Sequence, residues 1–126
     1  MHIIPVITRE DFLRFTQLPW QIYRDDPFWV PPLINDVLYR LDVSRNPFWK
    51  TSERACWLAL DGNVPVGRIC AIAYRPASNP TAPVKGRFGF FECMNDQEAA
   101  SSLFTAAADW LKVRGLTSME EPYEEV

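Results

Sequence analysis

The sequence of 126 residues predicts a single α/β domain, and three observations carry that prediction. Two strand-like runs, 54–60 and 64–74, flank Asp61-Gly62-Asn63, a turn signal that makes an antiparallel hairpin of them. Residues 96–114 repeat apolar side chains at helical spacing through Ala100, Leu103, Ala107, Trp110 and Leu111. A composition of 48% hydrophobic and 23% charged residues is that of a globular chain, at a length that suits one core.

The elements follow in order. Residues 2–6 are apolar and partly β-branched and read as a strand. Thr8 then caps a helix whose first turn holds Glu10 and Asp11, with Phe12, Phe15 and Leu18 on one face. Pro19 is expected to break this helix or to restart a short one through Tyr23. Residues 26–32 carry three prolines and must be extended, because each proline drives its predecessor out of helical geometry. A second helix is expected over 33–41, with Leu33, Val37 and Leu41 on one side, followed by a turn at Asn46-Pro47. After the hairpin come a proline-rich loop over 75–86, a strand over 87–94 and the long helix over 96–114. Gly115 stops that helix, and Lys112 and Arg114 complement its carboxyl end. Residues 116–119 read as the start of one more strand. The domain is thus drawn over 1–119, with an acidic tail over 120–126.

Bulk properties exclude several functions. A net charge of −3 from 13 basic and 16 acidic residues, well mixed, leaves no footprint for nucleic acid or an anionic membrane. Cys56, Cys70 and Cys93 are odd in number, widely spaced and set in apolar runs, as suits free thiols of a reducing compartment. With no basic leader and no long apolar stretch, the expected location is cytoplasmic. His2 is the one histidine, which removes Ser-His-Asp and Cys-His catalysis and any multi-histidine metal centre; no metal is expected.

Five ordered motifs add detail: the run Tyr23-Arg24-Asp25-Asp26-Pro27-Phe28-Trp29-Val30-Pro31-Pro32-Leu33, then Asn46-Pro47-Phe48, Val66-Gly67-Arg68-Ile69, Gly89-Phe90-Phe91-Glu92-Cys93, and Ala108-Asp109-Trp110-Leu111-Lys112-Val113-Arg114-Gly115. Together with the element order they resemble the front half of the GNAT N-acetyltransferase superfamily, in an uncharacterised branch, from about Phe12 to Met119. The resemblance implies a mixed, mostly antiparallel sheet. The strand over 87–94 would diverge from its neighbour and leave a V-shaped gap for the pantetheine arm of acetyl-CoA or another acyl-CoA, held by strand backbone from Phe91 through Cys93 to Met94. The long helix would aim its amino end at the pyrophosphate.

At that point typical members carry an Arg/Gln-x-x-Gly-x-Gly/Ala loop, whereas this chain has Asn95-Asp96-Gln97-Glu98-Ala99-Ala100. Asn95 with Glu98 three residues on forms a capping box that would satisfy the helix's free donors internally, and Asp96 and Glu98 put negative charge where a diphosphate would rest. Two readings stand: a well-capped structural helix, or an altered phosphate site. Glu92 is the candidate base; strand alternation puts it on the face of Phe88, Phe90 and Met94, and a glutamate of this strand can deprotonate the acceptor amine in related enzymes. By the resemblance, the aromatic region of Trp20, Tyr23, Phe28 and Trp29, with Phe48 and Trp49, would lie near the acceptor side of the cleft, as packing, pocket wall or interface. Arg68 has no partner that the sequence names.

A whole GNAT fold continues past Met119 with another helix and two strands, so this chain is expected to be truncated. Its open sheet edge is then expected to be covered by a homodimer mate or by a partner chain. Three functions are compatible. The first is a binding, oligomerisation or regulatory module without acetyl transfer of its own. The second is an acyl-CoA-dependent N-acyltransferase completed by self-association. The third is a small-ligand binder using the aromatic cleft.

Overall fold

The computed structural model describes residues 1–119. In order, it contains β1 (His2–Pro5), α1 (Arg9–Ile22), α2 (Ile34–Leu41), a 3-10 turn (Pro47–Lys50), β2 (Glu53–Asp61), β3 (Val64–Tyr74), β4 (Lys85–Cys93) and α3 (Gln97–Val113). The four strands form one sheet in the order β1-β2-β3-β4, each pair antiparallel. Helices cover both faces, because both faces are apolar. Cys56, Leu58, Leu60, Cys70 and Ile72 pack under Phe15 of α1, Val37 and Leu41 of α2 and Trp49. Ala59, Ile69 and Ala71 pack under Ala99, Leu103, Ala107 and Leu111 of α3. Side chains such as Phe15, Leu58, Ile72 and Leu103 are fully buried, and each contributes about 1.5–3 kcal/mol relative to exposure.

The hairpin forms where the sequence predicts it, Asp61 pairing with Val64 across Gly62, whose φ of 60° the turn requires. The start of α1 also follows expectation: Thr8 Oγ1 accepts from the Asp11 backbone N–H at 3.1 Å, and the Asp11 carboxylate accepts from the Thr8 N–H at 3.5 Å. The end of α3 is a Schellman turn, with Gly115 at φ 77°, its N–H donating to Lys112 O at 2.9 Å and the Leu116 N–H to Leu111 O at 3.0 Å.

Other expectations are corrected. Helix α1 runs unbroken through Pro19 to Ile22. A proline lacks the N–H that would bond the carbonyl four residues back, here that of Phe15, and that carbonyl instead accepts from Arg68 Nη1 at 2.7 Å. An outside donor thus repairs the gap that should have ended the helix. Helix α2 begins at Ile34, and Leu33, expected on its buried face, is 77% exposed. Its last carbonyls are held from outside: Trp49 Nε1 and Asn46 Nδ2 donate to Arg40 O, and Arg54 Nε donates to Leu41 O, each at 2.8–2.9 Å. Residues 116–119 form no strand; Leu116 and Met119 pack on the α3 face of the sheet, and Ser118 O lies so close to Gly86 that a Cβ there would meet it at 2.5 Å. The acidic stretch expected over 120–126 lies outside the described residues. No helix among the described residues is long and apolar enough to cross a membrane.

Candidate functional site

The site is built around an irregularity in β4. Arg68 pairs with Glu92 and Cys70 with Gly89, so Phe90 and Phe91 together oppose Ile69: a β-bulge. Phe90 takes φ 56°, a conformation that costs a bulky residue about 1–3 kcal/mol. Its ring stays on the α1 side, 6.3 Å from that of Phe15, with the Arg40 guanidinium 4.9 Å above it.

The bulge also changes which side chains share a face. Plain alternation puts Glu92 with Phe88, Phe90 and Met94, but Phe88 and Met94 pack on the α3 side with Phe91 and Cys93. Phe90 alone of the three faces α1, and Glu92 joins it there, because the extra residue resets the alternation after Gly89. In this position Glu92 Oε2 accepts a hydrogen bond from the Tyr23 hydroxyl at 2.6 Å. That bond, then burial, hold the Tyr23 phenol above its ordinary pKa.

Tyr23 is the C-cap of α1. Its ring stacks on Trp29 at 5.5 Å, and Trp29 meets Trp20 edge-on at 5.3 Å. The structure therefore brings together Glu92, Tyr23, Trp29 and Trp20. Phe28 stands apart, 90% exposed, in a tight turn where its N–H donates to Asp26 Oδ1 at 2.9 Å. Trp20 also lines an open groove of about 1380 Å³ between α1 and α2, with Leu13, Pro31, Leu33, Leu38 and Tyr39 among its walls.

Arg68, which the sequence left without a partner, is 7% exposed at the centre of this arrangement. Nε donates to Phe90 O at 2.8 Å and Nη1 to Phe15 O at 2.7 Å. Burial pushes its guanidinium down to about 10, partly offset by the charge of Glu92, so it stays cationic at neutral pH. The one signal that pointed to it was Pro19, which predicts an orphan carbonyl but not its donor. Arg40 likewise escaped the sequence reading, because nothing there ties it to Phe90.

The start of α3 is built differently from expectation. The N-cap is Asp96, not Asn95: Asp96 Oδ1 accepts from the Ala99 N–H at 3.1 Å, and Glu98 is exposed in the first turn rather than closing a capping box. Asp96 is already turned inward, its N–H donating to Met94 O at 2.6 Å, so its carboxylate and not Asn95 reaches the helix donors. Gln97 and Ala100 complete this turn. The side chains of Phe91 and Cys93 face α3, Phe91 at 4.7 Å from the ring of Phe104, and burial with the nearby Asp96 charge pushes the Cys93 thiol up. What β4 offers outward is backbone: it is the last strand of the sheet among the described residues. An open strand edge fits an extended, amide-bearing arm such as pantetheine. A helix start whose N-cap carboxylate holds the Ala99 donor, with Glu98 in the first turn beside it, does not fit a diphosphate. Among the described residues, no group of three His, Cys, Asp or Glu side chains is placed to hold a metal ion.

Superposition on solved structures gives the class of this fold: it is the GNAT acetyltransferase fold. The aminoglycoside 6'-N-acetyltransferase AAC(6')-IG of Acinetobacter haemolyticus superposes with a TM-score of 0.67 at 13% identity, over 100% of this chain and 81% of that one. A predicted acetyltransferase of Clostridium acetobutylicum, solved with acetyl-CoA, gives 0.65 at 12% identity, over 98% and 81%. Among curated proteins, the chain is 35% identical over 124 residues to a bacterial ceramide synthase of Caulobacter vibrioides, matching 98% of this chain and 32% of that protein. It is 29% identical over 117 residues to Protein YghO of Escherichia coli, matching 93% and 30%. The chain thus spans about a third of the length of these curated relatives. No family model matches it.

Proposed function

We propose that this chain is part of an acyl-CoA-dependent N-acyltransferase whose donor lays its pantetheine arm on the β4 edge and has its diphosphate held elsewhere than at the start of α3, with Glu92 as the base that takes the proton of an acceptor amine and Tyr23 as the group that orients it. The observation that carries this reading is the 2.6 Å hydrogen bond between Tyr23 and Glu92 beside the β4 bulge. A carboxylate brought next to an aromatic wall, within reach of the open edge that suits a pantetheine arm, has the placement that acid/base work on an amine needs. The relative named as a ceramide synthase supports a long-chain acceptor, since a ceramide is an amide of a long-chain amino alcohol. The groove beside Trp20 offers such a chain an apolar wall in Leu13, Leu38 and Tyr39, with Arg9, Asp36, Asp42 and Arg45 also lining it. The free edge of β4 belongs to this reading too: a second copy or another stretch of protein would cover what the acyl donor leaves open.

The test is incubation with a long-chain acyl-CoA and a long-chain amine, with the amide followed by mass spectrometry. Amide formation by the wild type that falls by about 100-fold or more in Glu92→Gln supports the proposal.

A second reading, a binding or regulatory module without transfer of its own, is favoured by one observation: the Asp96 carboxylate holds the Ala99 donor at the start of α3. Calorimetric titration with coenzyme A separates the two, because absence of binding at millimolar concentration leaves only the second.

A further inference from the structure

We propose that Arg68 is a positioning residue that ties helix α1 to the bulge of β4 and thereby holds Tyr23 against Glu92; its bearing on catalysis rests on the role proposed above for Glu92. Two backbone irregularities, far apart in sequence, each leave a carbonyl without its regular partner. Pro19 frees the Phe15 carbonyl inside α1, and the bulge turns the Phe90 carbonyl out of the ladder. One guanidinium answers both, Nη1 on Phe15 O and Nε on Phe90 O. Its charge lies 4.9 Å from the centre of the Phe15 ring and 5.9 Å from that of Phe90, so the same two residues grip it by ring and by carbonyl.

The consequence lies just beyond each anchor. One turn after Pro19, α1 ends at Tyr23; two residues after Phe90 comes Glu92, which is also the residue opposite Arg68 across the strands. Arg68 therefore stands where the segments bearing the two side chains converge, and its planar fork sets the angle between them. A lysine keeps the charge but has no rigid fork to serve two fixed carbonyls at once.

The Tyr23 phenol reports on this arrangement without any assay of transfer. The groups that act on it are Glu92 of β4, whose hydrogen bond and charge raise its pKa, Arg68 of β3, whose charge lowers it, and Asp26 of the following loop, which raises it. If Arg68 is merely a nearby cation, removing it sends the Tyr23 pKa up. If it holds Tyr23 on Glu92, removing it breaks the contact and sends the pKa down toward the ordinary 10.0.

The experiment is a titration of tyrosine labelled with carbon-13 at Cζ, followed by NMR in wild type, Arg68→Lys and Arg68→Met, with Tyr23→Phe assigning the signal and circular dichroism confirming the fold. The expected result is a downward shift of the Tyr23 pKa in both Arg68 variants, approaching that of Glu92→Gln. A Tyr23 pKa in Arg68→Lys at or above the wild-type value overturns the proposal. Should Arg68→Met fail to fold, Pro19→Ala/Arg68→Met restores a backbone donor to the Phe15 carbonyl and carries the same readout. Acyl transfer measured on the same proteins bears on the proposed function alone: a wild type that forms no amide sinks that reading and leaves the titration result standing.

Discussion

At the scale of single residues, the chemistry gathers on side chains whose neighbours come from distant segments. The bond from Tyr23 to Glu92 links α1 to β4 and contributes stability of about 1 kcal/mol, toward the lower values for a bond to a charged group because both residues are only half-buried. Its pH dependence has a definite sign. The folded Tyr23 pKa lies above the unfolded 10.0, so from neutral pH up to 10 the contribution is complete, and it is lost as pH climbs through the folded value. Thermal melts compared from neutral pH upward should therefore show the wild type keeping its advantage over Tyr23→Phe to about pH 10 and losing it above. Asp96 offers a second case. Replacing it by serine keeps an oxygen on the Ala99 N–H and removes the charge, so urea melts should change by only about 0.5 kcal/mol or less, while alanine costs about 1 kcal/mol. If its charge is what repels a diphosphate, coenzyme A binds Asp96→Ser more tightly than wild type, as calorimetry would read. Glu92 was legible as a candidate from the resemblance of its strand to one that carries a base, although alternation grouped it with Phe88 and Met94, which face the other way. Its partner was not, since nothing local in the sequence pairs residue 23 with residue 92.

At the scale of elements, patterns that rest on local chemistry translate directly: the capped start of α1, the Gly62 turn, the Gly115 stop. What fails to translate depends on a partner from elsewhere. Pro19 reads as a break because its own neighbours offer no replacement donor, and only the folded sheet supplies Arg68. The bulge was invisible for the same kind of reason: a phenylalanine at φ 56° violates local preference and is held by tertiary contacts. Residues 116–119 read as a strand from their composition, yet their backbone crosses Gly86 instead of pairing. That crossing is testable. Gly86→Ala sets a methyl group against a main-chain oxygen that cannot rotate away, so it should lower stability by about 1–3 kcal/mol in chemical denaturation. Gly67→Ala meets the tip of Leu103 at 2.8 Å, a side chain able to shift, and should cost less.

At the scale of the whole molecule, two helical layers enclose a sheet whose last strand keeps an open edge among the described residues. If that edge is an assembly surface, light scattering at rising concentration shows a dimer, and a monomer throughout contradicts it. The order of strands and helices was readable from turn signals and helical spacing, whereas the cover on both faces of the sheet emerged only in the fold, where both faces are apolar. The side of the sheet that carries the acid was not readable either, since it is decided by backbone phase. Excising one amino acid from a strand normally turns everything after it inside out. Removing Phe90 would do the opposite: Phe91 would fall opposite Ile69, Arg68 would still face Glu92, and a straightened ribbon would keep its outward and inward lettering unchanged. The kink is thus a spare syllable in the strand, and a shortened chain that folds would show how much of the site depends on the bend rather than on which way each side chain points.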